Sequence, residues 1–148
     1  MSDELRTRYF ALGLGAIYIL IGIAGFIPAL YTSPAANAPH VDATANYGYL
    51  FGTFPVNALA DVLHIVVGVI GVACFASFAA ARYYARGLFL VFGLLAVAGF
   101  LPHANTLYGL VPIFGSDTWL HFATAVAGGL FGFVVSEPNV SPELEHAS

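Results

Sequence analysis

From Tyr9 to Val41 the chain runs without one Asp, Glu, Lys or Arg, and Tyr9–Leu30 is almost wholly apolar. A bilayer is crossed by roughly 20 mostly apolar residues in a helix. Three further stretches meet that description: Pro55–Ala81, interrupted by Asp61 and His64; Gly87–Pro102, after a turn expected at Arg82–Arg86; and Asp117–Ser136. Of 148 residues 59% are hydrophobic and 8% charged, and none is lysine. A soluble domain carries about a quarter charged residues, so too little polar surface exists to cover a soluble monomer. Four arginines and a net charge of -4 leave no basic footprint for nucleic acid. One cysteine, Cys74, excludes a disulfide scaffold. The expectation is an all-α integral membrane four-helix bundle whose partner is the lipid bilayer.

Arg6 and Arg8 precede the first span, and Arg82 and Arg86 lie between the second and third. All four arginines then fall on one side, which the positive-inside rule makes cytoplasmic. Both termini are expected there, with the 31–54 and 103–116 loops outside. Arg6 and Arg8, an apolar stretch and then Ala36-Asn37-Ala38 imitate a secretory signal, but the stretch is too long for a signal's apolar region, ends in Pro28 and recurs within the chain. It reads as a retained helix. Residues 1–136 are expected to form the transmembrane domain and 137–148 a flexible polar cytoplasmic tail.

Arg8-Tyr9-Phe10-Ala11-Leu12-Gly13-Leu14 and Arg82-Tyr83-Tyr84-Ala85-Arg86-Gly87-Leu88 open a match at a spacing of 74 residues. It closes at Gly25-Phe26-Ile27-Pro28 against Gly99-Phe100-Leu101-Pro102. The later halves match at a spacing of 57: Leu50-Phe51-Gly52-Thr53-Phe54-Pro55 against Leu107-Tyr108-Gly109-Leu110-Val111-Pro112, then Leu63-His64 against Leu120-His121. The change of spacing is an insertion within Tyr31–Tyr47. Two helix–loop–helix repeats follow, about 8–81 and 82–136. Each has an even number of spans, so they share one orientation, as in parallel-repeat transporters.

Ionisable residues inside a span are functional candidates by default. His64 and His121 are the two histidines within spans, and the repeat maps one onto the other. Asp61 and Asp117 each stand about one turn earlier, on the same helix face. Small residues follow: Gly68 and Gly71 on the second span, Ala125, Gly128 and Gly132 on the fourth. Such a face admits either close helix contact or a flat macrocycle. Three chemistries stay open. His64 and His121 could be axial ligands of a b-type haem, with Gly68, Gly71, Ala125 and Gly128 as its close-approach surface. Asp61, His64, Asp117 and His121 could bind a divalent metal such as Zn or Fe. Alternatively the histidines hydrogen-bond the aspartates and fix the packing. His40 and His103 read as ordinary loop residues, and Asn57 and Ser116 as helix caps. No HExxH, P-loop, nucleophile elbow or cysteine pair is present, so no catalytic residue is assigned and an enzyme is not expected.

The Gly-Phe-Ile-Pro end of the first span, the 50–59 segment, Leu63-His64 and Trp119-Leu120-His121 together resemble a family of small four-helix bacterial membrane proteins known only as a domain of unknown function. The resemblance covers about 8–135 and implies a bacterial cytoplasmic-membrane protein, without activity or cofactor. Members often carry His at the place of Ala60 and Asn at the place of Asp61; this chain departs from both. Three functions are weighed. A non-enzymatic module associating with a membrane partner or with its own copies through Gly-rich faces leads. A haem or metal electron-transfer protein follows. A proton or ion path is third, because the inner halves of the second and fourth spans offer only Ser77 and Thr124.

Overall fold

Ser2 opens the first helix: its hydroxyl accepts the Leu5 N–H at 3.3 Å, and Asp3 and Glu4 complement the helix N-terminus. The helix, α1, spans Asp3–Ala24 in a computed structural model that describes residues 2–135. The tail expected over 137–148 lies outside the described residues. Three more helices follow, α2 (Ala58–Cys74), α3 (Phe78–Gly99) and α4 (Ser116–Gly129), the last continued by a π-helical turn at Leu130–Val134. The protein is mostly helical, as expected.

The boundaries depart from the hydropathy reading in one instructive way. Arg82 and Arg86 form no turn; they lie inside α3, and the turn is Phe75–Ser77. Ser77 caps α3 by accepting the Ala80 N–H at 3.2 Å, and Ala79–Ala81 favour a helix. The arginine heads find acceptors at the far helix ends. Arg8 Nε donates to Phe75 O at 2.8 Å, and Arg82 Nε to Gly132 O at 3.1 Å. Carbonyls at helix C-termini lack partners within the helix, and cations there are favourable. These two bonds join positions spaced by 74 and 57, the spacings seen in the sequence.

α1 packs closely along α2 and α3 along α4, with far less contact between the pairs. Glycine sets the approach. A Cβ on Gly68 would stand 2.5 Å from Gly15 O, and one on Gly128 2.7 Å from Ala85 O. Tyr18, Tyr84, Leu88, Phe92 and Ala125 fill the centre with Ala11 and Ala81. Leu20, Leu94, Val69 and Val126 face outward, part of a wide exposed apolar surface. α1 and α3 are each long and apolar enough to cross a membrane; α2 is apolar but shorter.

A feature absent from the all-helical expectation covers one end. A small antiparallel sheet, β1 (Tyr31–Thr32), β2 (Gly48–Leu50) and β3 (Phe54–Val56), fills the first long loop. Its β2–β3 turn carries positive φ at Phe51 and Gly52, 52° and 68°. The second long loop turns the same way at Tyr108 and Gly109, 57° and 86°, and Ile113 N–H donates to Asn105 O at 3.0 Å across it. Asn57 ties the two loops together. It caps α2 as expected, its Oδ1 accepting the Ala60 N–H, while its Nδ2 donates to Ala43 O at 2.9 Å and Leu110 O at 2.8 Å. Ser116 does not cap: Gly115 occupies that place, with φ 63°, and makes no side-chain bond.

Candidate metal centre

His64 lies in the second turn of α2 and His121 in the second turn of α4, both directly beneath the two long loops. Asp117 precedes His121 by one turn, so both side chains project from the same face. His121 Nε2 and Asp117 Oδ2 are 3.3 Å apart. One ligating atom from each of His64, Asp117 and His121 lies within 4.8 Å of the other two. The three are 8%, 3% and 2% exposed. The Nδ1 atoms of both histidines are buried without a hydrogen-bond partner.

Aromatic rings hold the imidazoles in place. Tyr18 on α1 lies 5.4 Å from His64, Phe92 on α3 lies 5.2 Å from His121, and Tyr18 and Phe92 are 5.3 Å apart. Tyr18 and Phe92 are again 74 residues apart, so the four rings form a chain whose two halves correspond. The halves differ in polarity. Tyr18 shares a 2.8 Å hydrogen bond with Thr124, whereas the corresponding positions are Phe92 and Val67. The spacings would have singled out Tyr18, Phe92 and Thr124 had they been applied to uncharged residues.

Asp61 is not part of this group. Its side chain is fully buried against Gly25 of α1, where a Cβ on Gly25 would collide with the carboxylate, and neither oxygen has a hydrogen-bond partner. The position 57 residues on is Thr118, whose hydroxyl donates to Ile113 O at 2.8 Å beside Gly99 of α3. So Asp61 and Thr118 correspond, and Asp117 corresponds to Ala60. The site has one carboxylate, from one half only. Of the expected four-residue metal set, three come together and Asp61 stays in the α1–α2 interface.

Gly68, Gly71 and Gly128, read above as admitting either close helix contact or a flat macrocycle, lie in close contact with other helices of the chain. A Cβ on Gly71 would stand 2.6 Å from Tyr84 Oη, and Gly68 and Gly128 meet the backbones of α1 and α3. Ala125 belongs to the buried centre, and Gly132 packs on the Arg86 stem. These small residues serve helix contact within the chain. Among the described residues, a cavity of about 250 Å³ borders both histidines and one of about 110 Å³ borders His64. Asp117 borders both cavities. The donor set suits a bare ion. Two imidazole nitrogens and a carboxylate are the ligands of zinc and ferrous sites, with bonds of about 2.0–2.2 Å and ligand–ligand edges of about 3 to 3.5 Å. The His121–Asp117 separation is already such an edge.

Comparison with known families adds one finding. A family described as a domain of unknown function (DUF4383) matches residues 8–134. The chain belongs to the DUF4383 family. No curated protein and no solved structure matches it. Within DUF4383 the matched segment takes in both histidines, Asp117 and both long loops, so the whole site lies inside the family's own boundaries. His40 and His103 are exposed, and the nearest group to His40 is Asp42 at 3.5 Å.

Proposed function

We propose that the protein is a four-span integral membrane protein that holds one divalent transition-metal ion, of the zinc or ferrous class, on His64, Asp117 and His121. The observation that carries this reading is the meeting of three buried ligating side chains from two helices within 4.8 Å. Polar ligating groups in an apolar bundle are unfavourable unless they find partners, and an ion would satisfy three ligating side chains that are here almost wholly buried. The glycine faces on which association with a partner would rest are occupied inside the chain, which moves the reading from an interaction module to this site.

The membrane part rests on α1 and α3, on the exposed apolar band, and on arginines confined to the helix ends opposite the site. The termini are cytoplasmic and the ion lies near the outer surface of the bacterial cytoplasmic membrane. The chain is two parallel repeats about an axis along the membrane normal. The equivalent arginine bonds, loop turns and ring pairs at the two spacings support this.

Elemental analysis of protein purified in detergent, after dialysis against zinc, tests the metal reading. One ion per chain is expected, lost in both His64→Ala and His121→Ala and retained in Asp61→Asn. Wild-type protein that remains folded and binds no zinc, iron or cobalt overturns it.

A further inference from the structure

The two grooves that separate the helix pairs correspond under the repeat, yet they are filled differently. Between α1 and α4, Phe10 stacks on Phe131 at 4.3 Å and Tyr18 bonds Thr124 at 2.8 Å. Between α2 and α3 the corresponding residues are Tyr84 with Cys74 and Phe92 with Val67. Neither pair is a ring stack or a hydrogen bond, and the Tyr84 hydroxyl is buried without a partner. Tyr84 rests against Gly71 of α2, and the groove opens beside it. Two cavities, about 250 and 230 Å³, adjoin along it and share Val67, Val91 and Phe92 as walls. Val91 and Leu63 at its edge are about half exposed on the outer surface of the bundle, so the groove communicates sideways with the space that lipid fills.

The cavities flanking the histidines differ by the same asymmetry. The smaller is lined by Phe54 and Asp117, the larger by Val111 and Ala60 at the corresponding places. His64, Asp117 and His121 all border the larger one, and Leu107, Val111, Pro112 and Ile113 roof it.

We infer that the α2–α3 groove binds a long-chain carboxylate, its hydrocarbon chain lying between α2 and α3 and its carboxylate meeting the ion held by His64, Asp117 and His121. This rests on the metal reading above. The charge argument follows from that ligand set. A divalent ion with two neutral imidazoles and one carboxylate keeps one net positive charge, which a monoanionic oxygen head neutralises in a low-dielectric site. Three protein ligands leave the ion a further position for an oxygen donor. The apolar walls suit an alkyl chain, whose burial is favourable in proportion to its area.

The test is photolabelling of the zinc-loaded protein in detergent with a diazirine-bearing palmitic acid, followed by peptide mapping, with zinc content measured on each sample. Label concentrated on α2 and α3 around Val67, Ile70 and Val91 is expected. Filling the groove in Val67→Phe should lower labelling by about tenfold, a loss of roughly 1.4 kcal/mol in binding, with zinc retained, while Val69→Phe on the outer face leaves it unchanged. Val91→Phe makes the same test from α3 should Val67→Phe not fold. His64→Ala with His121→Ala should lower zinc and label together. Zinc bound with label spread evenly over all outward helix faces, or unchanged by either groove-filling variant, overturns this inference and leaves the metal reading standing. A wild-type protein without zinc is the distinct failure of the metal reading itself.

Discussion

Two side chains at the residue scale repay substitution. Asn57 makes three hydrogen bonds from a fully buried position, one as a cap and two across both long loops. Asn57→Ala removes all three and leaves two carbonyls without donors. The expected loss is about 2–4 kcal/mol, combining a cap with buried hydrogen bonds, read as a lowered midpoint in chemical denaturation. Asn57→Asp keeps the cap oxygen and loses both donors, so it should fall between. Asp61 and Gly25 form the second test. Gly25→Ala forces a methyl into the Asp61 carboxylate and should destabilise by about 1–3 kcal/mol, as overpacking does. In an Asp61→Ala background the same methyl has room. A double-mutant cycle should therefore give a coupling of at least about 1 kcal/mol; additive effects would mean that the two residues do not touch.

At the scale of the element, the arginine contacts to the helix ends are the informative feature. Arg8→Ala and Arg82→Ala each remove a bond to a helix-terminal carbonyl. Each should lower stability by about 0.5–2 kcal/mol, visible as a few degrees in thermal denaturation of detergent-solubilised protein. An Arg8→Lys variant reaches the same region as a point charge without the guanidinium fork and should recover part of the loss. The same residues mark how far the sequence was legible. Apolar length gave four helices, and identity at two spacings gave the pairing of Arg8 with Arg82 and of His64 with His121. Hydropathy could not place the start of α3, because it scores Arg82 and Arg86 as breaks although their stems lie along a helix and only the heads seek carbonyls. It also missed the β1–β3 sheet, whose strands are two or three residues long and are fixed by Gly52 and by pairing, not by any periodic pattern. The site was half legible. Helical spacing put each aspartate beside its histidine, but Asp61 stands three residues before His64 and Asp117 four before His121, and that single residue of difference turns one carboxylate toward α1 and the other toward the imidazoles.

For the whole molecule, the prediction concerns orientation. In a Cys74→Ala background, single cysteines placed at Ser33 or His103 in the loops should react with a membrane-impermeant maleimide added to intact cells. A cysteine at Ala76, in the turn between α2 and α3, should react only after the membrane is opened. The opposite pattern would place His64, Asp117 and His121 near the cytoplasmic surface. The position of Asp117 then bears on symmetry. Two identical half-length chains meeting about a two-fold axis would bring either two carboxylates or none to the centre, since whatever one copy carries the other must carry too. Within one chain the two halves can differ: residue 60 is alanine where residue 117 is aspartate, and Cys74 and Val67 stand at the places that Phe131 and Thr124 take in the other half. A single carboxylate beside the paired histidines, with unlike flanks, is open to one continuous chain and closed to two identical halves.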